Sequence, residues 1–151
     1  MRPSRDRPGP GPWVEWTDEG GQTRLQMEPK GRERVYGLNL NFLGFERRGR
    51  ALEVKTNADP GTDNGHSHVV SPFFLTAWGY GVFLNNRGYS RFRIDDEGDG
   101  VVTMYAPGRV LDWYYIYAGG LRDVLEKYTS VVGRIDMPAR WGLGLWYRAE
   151  A

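Results

Sequence analysis

Residues 72–86 read PFFLTAWGYGVFLNN. Aromatic and β-branched side chains fill both halves, as suits half-buried pleated surfaces, and Gly79 joins them, which predicts two strands rather than one helix. The same texture continues downstream. GYSRFRID (88–95) and GVVTMYAP (100–107) flank the turn formers DDEGDG, and RVLDWYYIYA (109–118) follows Pro107 and Gly108. Upstream, WVEWT (13–17) and QTRLQME (22–28) alternate inward and outward around DEGG, a hairpin signal. RERVYGLNLNF (32–42) reads as a strand interrupted at Gly37, then a charged turn around ERRGR, then an alternating ALEVKT (51–56). NADPGTDNGHSH (57–68) is a polar loop with turn formers at most positions.

After Gly119 and Gly120 the period changes. LRDVLEKYTSVVG places Leu121, Val124, Leu125, Tyr128 and Val132 at helical spacing. Gly133 is the expected stop, with Arg134 favourable at the negative end of the helix. Pro138 resets the chain before RWGLGLWY, whose run from Trp141 to Tyr147 carries no charge and reads as a strand buried on both faces, the pattern of a covered parallel sheet. Many antiparallel strands, one helix and one apolar strand make an all-β sandwich that hands over to something else.

Bulk composition agrees. The 151 residues hold 40 % apolar side chains, 21 glycines and nine prolines, favouring a turn-rich β fold over a helical bundle. Net charge is +1 with both signs scattered, so no nucleic-acid partner is expected; Arg2, Arg5 and Arg7 in the proline-rich start are too few for a basic arm. No run reaches the length of a membrane span, and no secretory leader is read. The absence of cysteine fits a reducing compartment and points to the cytoplasm.

Chemistry-bearing clusters are few. His66 and His68 flank Ser67 and are the two histidines of the chain; they read as solvated loop residues, not metal ligands. DDEGDG begins like a calcium loop, but Ala106 stands where a bidentate Glu is needed, so it reads as a charged hairpin turn. GYGVF and GLGLW complete no dinucleotide fingerprint, and their glycines read as close strand packing. Asp59 and Asp63 share one loop. Glycosidases use two carboxyl groups about 5–10 Å apart, yet aspartate in such loops usually bonds its own backbone. The six tryptophans and nine tyrosines could stack on sugar rings, but most lie in strand patterns, where core packing is their usual fate.

Taken in order, ERVYGLNLNFLGFERRGRALEVKTNADPGT (33–62), HVVSPFFLTAWGYGVFLNN (68–86) and LDWYYIYAGGLRDVLEKYTSVVGRIDMPARWGLGLWYR (111–148) resemble glycoside hydrolase family 31. The resemblance covers about Glu33 to Arg148. It implies an antiparallel β-sandwich of galactose-mutarotase-like type at 13–118 behind an extended tail at 1–12, a connector helix and linker at 119–137, and at 138–151 the first strand of a (β/α)8 barrel whose other strands would cover it. The complete enzyme would be a retaining α-glucosidase or α-xylosidase acting on α-glycosides without cofactor or metal. The family's nucleophile and acid/base aspartates sit on later barrel strands, so no catalytic residue is expected in this chain, and the chain alone is expected to be inactive. One residue carries over: Asn57-Ala58-Asp59 matches the family's asparagine-x-aspartate, which places Asp59 as a sugar-hydroxyl acceptor at the barrel mouth. Asp63 gains nothing from the match. One departure is plain: Gly37-Leu38-Asn39-Leu40 stands where the family often has glycine-leucine-glycine-glutamate. The competing expectations are a stand-alone carbohydrate-binding sandwich, which needs tryptophan on a solvent face, and a purely structural or interaction domain whose tail docks on another chain.

Overall fold

The computed structural model describes residues 12–19, 21–29, 32–40, 44–57 and 66–144, with the backbone alone for 12–19. Among the described residues, nine strands form two antiparallel sheets: β1 (Pro12–Glu19), β2 (Gln22–Met27), β3 (Val35–Gly37), β4 (Arg50–Val54), β5 (Phe73–Thr76), β6 (Tyr80–Leu84), β7 (Ser90–Ile94), β8 (Val102–Pro107) and β9 (Trp113–Tyr117). The five-stranded sheet runs β1-β2-β8-β7-β4 and the four-stranded sheet β3-β5-β6-β9. The expected β-sandwich is the fold of the chain.

The core lies between the sheets because alternate residues of each strand face inward. Across the five-stranded sheet, register places Leu25, Met104, Phe92 and Leu52 in one row and Met27, Val102 and Ile94 in the next. The four-stranded sheet answers with Phe74, Val82, Tyr80 and Leu84, all in the same buried cluster. Phe74 and Phe92 meet edge to face across the gap, ring centres 6.3 Å apart, a favoured geometry for the ring quadrupoles.

Helix α1 (Leu121–Val132) covers the outer face of the four-stranded sheet. There, alternation gives rows Phe73–Phe83–Tyr114 and Leu75–Gly81–Ile116. Val124 is fully buried over Gly81, where a Cβ would lie 2.9 Å from Val124 Cγ1 and 2.8 Å from the Phe74 carbonyl oxygen. A missing side chain in the sheet thus makes the seat for the helix. Tyr128 stacks flat on Phe73 at 3.8 Å and meets Phe83 edge-on. Gly133 ends the helix at φ +97, its N–H bonded to the Thr129 carbonyl, while Arg134 reaches back to the Glu126 carbonyl. The stop and its cation are as the sequence predicts.

Three expectations change. The strand expected through 32–42 is three residues long, because Leu38 and Asn39 follow Gly37 into the left-handed region. The strand expected from Arg109 begins at Trp113, where pairing with Leu84 starts. At Arg140–Leu143 the chain makes a 3-10 turn in place of the expected strand, and Trp141 is 88 % exposed. A parallel strand needs neighbours to receive its hydrogen bonds, whereas Gly142 N–H bonds locally to the Ala139 carbonyl. Residues 145–151, including Trp146, and residues 1–11 of the tail expected at 1–12 lie outside the described residues, while Pro12 begins β1.

Candidate functional site

Two excursions meet at one end of the sandwich: the segment after β3 and the loop between β4 and β5. The first turns sharply because Gly37 has φ +104 and a Cβ there would sit 2.6 Å from the Phe73 carbonyl oxygen. Buried Arg47 then ties both sides of the excursion, its guanidinium donating to the carbonyls of Gly37 and Gly44, both at 2.8 Å. Burial and nearby Arg50 lower its pKa, while carbonyl acceptors offset the loss of water around the cation.

The second loop leaves β4 and returns beside it. Asn57 N–H donates to the Ser67 carbonyl at 3.0 Å, and Ser67 N–H to the Lys55 carbonyl at 3.1 Å. Ser67 is fully buried; its hydroxyl donates to the Leu40 carbonyl at 2.5 Å and accepts from Val69 N–H. Ser71 N–H donates to Asn39 Oδ1 at 2.9 Å. The two stems are therefore fastened to each other and to the first excursion. Asp59 and Asp63, the aspartates singled out in the sequence, fall in 58–65, outside the described residues.

His66 stands at the returning stem with Nε2 3.1 Å from Glu53 Oε2, and Arg91 reaches the other oxygen of Glu53 at 3.3 Å. Those partners, His66 first, hold the Glu53 carboxyl below its ordinary range against the opposing effect of burial. His66 is thus hydrogen-bonded to Glu53 and only partly exposed, whereas His68 is exposed as expected. The DDEGDG turn spends its charges internally: Asp95 pairs with Arg48 at 2.6 Å and accepts from Gly100 N–H, while Arg93 pairs with Asp96 at 2.9 Å and with Glu97. Among the described residues no cluster of three or more metal-ligating side chains forms, and no helix is long and apolar enough to cross a membrane.

Sequence reasoning missed Glu33. It is 3 % exposed at the entry to β3, accepts from the Tyr80 hydroxyl, and leaves Oε2 without a partner. Burial raises its pKa, opposed by the hydrogen bond from Tyr80, by the nearby Thr76 hydroxyl and by the charge of Arg48. Burial and the Glu33 carboxyl together push the Tyr80 phenol above its usual range. Residues 32–34 are three charged side chains in a row, Arg-Glu-Arg, and nothing in that run marks Glu33 as the buried one.

No protein-family profile matches the chain. An α-xylosidase of Lactiplantibacillus pentosus is 33 % identical over 114 residues, which is 76 % of this chain and 15 % of that enzyme. α-Glucosidase 2 of Bacillus thermoamyloliquefaciens is 32 % identical over 122 residues, 74 % of this chain and 15 % of the relative. Among solved structures, a family 31 dextranase of Flavobacterium johnsoniae, complexed with isomaltotriose, superposes with a TM-score of 0.77 at 22 % identity, covering 85 % of this chain and 16 % of that one. The chain belongs to glycoside hydrolase family 31.

Gly37 and Asn39 are held at the two excursions by Arg47 and Ser71, and the Asn57 stem is bonded there to Ser67, whereas Gly49 N–H bonds to the Ile94 carbonyl and Arg48 pairs with Asp95 at the β7–β8 turn. The chain spans about 15 % of the length of the first curated relative it matches.

Proposed function

We propose that this chain is the N-terminal β-sandwich portion of a retaining family 31 glycosidase, with domains divided at 13–118, 119–137 and 138–151. The observation that carries this reading is the alignment of about three quarters of the chain to only 15 % of an α-xylosidase. The complete enzyme would hydrolyse the glycosyl bonds of α-glucosides or α-xylosides through a covalent glycosyl intermediate on carboxylates supplied by its barrel. The sandwich would shape the substrate mouth, with Asp59 accepting hydrogen bonds from sugar hydroxyls. A cytoplasmic location belongs to the same reading, supported by the lack of cysteine.

The outward side of helix α1 supports a barrel as partner. Val124 is buried and Tyr128 half-buried, but Leu121, Leu125 and Val132 of the same apolar stripe are exposed, and Ile135, Met137, Trp141 and Leu143 continue the exposure along the linker. The sheet covers one side of the stripe and leaves an apolar surface for a larger body. A second reading, a module that binds carbohydrate by itself, has one observation in its favour: Trp78 is 60 % exposed at the β5–β6 turn.

Two measurements on the chain decide between these. Aryl α-glycosides should show no turnover above background; activity abolished by Asp59→Asn or Asp63→Asn would overturn the first reading. Indole emission titrated with isomaltose should stay flat, whereas a saturable change lost in Trp78→Ala would establish the second.

A further inference from the structure

The departure at Asn39 has a structural counterpart. Leu38 and Asn39 occupy consecutive left-handed positions, φ +56 and +70. That conformation is costly for most side chains, and Asn is one of the few non-glycine residues that adopts it readily. It persists here because Leu38 is buried and its N–H bonds to the Phe73 carbonyl at 2.9 Å. Glycine would satisfy the backbone equally well. Asparagine adds an acceptor, and Oδ1 takes the N–H of Ser71.

Ser71 is held from the opposite side as well. Its hydroxyl lies 3.3 Å from the Tyr128 hydroxyl on helix α1. The direction of that phenol is set by the flat stack of Tyr128 on Phe73 and by its edge contact with Phe83. Phe73 is two residues beyond Ser71, and the intervening Pro72 offers its carbonyl to Leu84 N–H at 2.9 Å. The returning stem of the β4–β5 loop is thus gripped by the β3 excursion, by strand β6 and by the helix.

We propose that Asn39 and Tyr128 are positioning residues for the returning stem of the β4–β5 loop: Asn39 fastens that stem to the left-handed end of β3, and Tyr128 fastens it to helix α1. The consequence for sugar binding rests on the reading of Asp59 given above; the mechanical link does not.

Amide hydrogen exchange of the full chain, read residue by residue by NMR, tests this. Asn39→Gly keeps the backbone conformation and removes the acceptor, so the Ser71 amide should exchange roughly tenfold faster while those of Val82 and Met104 in the core stay unchanged. Asn39→Asp retains an acceptor in a residue that tolerates the left-handed region and should restore protection to within about twofold. Tyr128→Phe keeps the ring stack and loses the hydroxyl; amides of 66–71 should exchange about threefold faster. Unchanged Ser71 protection in Asn39→Gly would overturn the proposal, and so would a loss spread equally over Val82 and Met104, the mark of a merely structural role. If Asn39→Gly does not fold, Tyr128→Phe decides by the same two criteria. Isomaltose added to the unmutated chain separates the two readings: loosened stems in the variants with no shift changes at 57–71 on titration remove the sugar contact and leave the positioning role standing.

Discussion

The two sheets share one core and differ on their outer faces. On the five-stranded sheet the outward rows are polar: Arg24, Tyr105, Arg91 and Glu53 lie side by side, as do Gln26, Thr103, Arg93 and Ala51. Gln26 donates to the Thr103 hydroxyl, and Arg91 pairs with Glu53. On the four-stranded sheet the outward rows are Phe73–Phe83–Tyr114 and Leu75–Gly81–Ile116, under Val124 and Tyr128. The difference lies in the residues that alternate with the core positions. Where they are charged, the face stays in water. Where they are apolar, the chain must supply a cover, and it supplies a helix over a glycine gap.

The largest effect should come from the shared core. Phe92→Ala removes one ring of the inter-sheet pair and should cost about 3–5 kcal/mol by chemical denaturation; a loss under about 1 kcal/mol would mean the sheets are not packed on each other as described. The covered outer face comes next. Gly81→Ala places a Cβ 2.8 Å from the Phe74 carbonyl oxygen and 2.9 Å from Val124, so it should cost about 1–3 kcal/mol and unseat α1. Faster amide exchange in 124–132 than in β8 is the expected signature, and equal exchange in both would dissolve the contrast between faces.

The third effect is a pH dependence at the seam between the sheets and the loop end. Glu33 has its folded pKa raised from 4.5, mainly by burial. The unfolded chain therefore gives up this proton first, and the group's contribution is full at low pH and declines as pH rises from about 4.5 through the folded value. Glu33→Gln cannot ionise and should flatten that decline in a denaturation series between about pH 4 and pH 7; identical slopes in both proteins would remove Glu33 from the account. The smallest effect belongs to the solvated face. Arg91→Ala breaks an exposed pair with Glu53 and should change stability by no more than about 0.5 kcal/mol. A loss as large as that of Gly81→Ala would make the two faces energetically alike.

Much of this was legible in the residues. The β1–β2 and β5–β6 hairpins follow from alternation around DEGG and Gly79, the Asp95–Gly100 turn from its turn formers, and the helix from its 3.6-residue period with Gly133 as its stop. The candidate site was half legible. The Asn57 stem was singled out, but its fasteners at Asn39, Ser67 and Ser71 are ordinary polar residues whose partners lie 27 to 32 positions away.

What the sequence determined by itself was local: the strand and helix periods, the turns, and the inward alternation that demands a sandwich. These depend on neighbours within a few residues, where sterics and periodicity act directly. Only the tertiary structure decided that β2 pairs with β8, that Glu33 is buried beside Tyr80, and that α1 buries Val124 while leaving Leu125 in solvent. Those outcomes depend on which distant segments close on one another, a choice governed by the fit of whole faces and by the entropy of closing long loops, neither of which is written in any short stretch of chain.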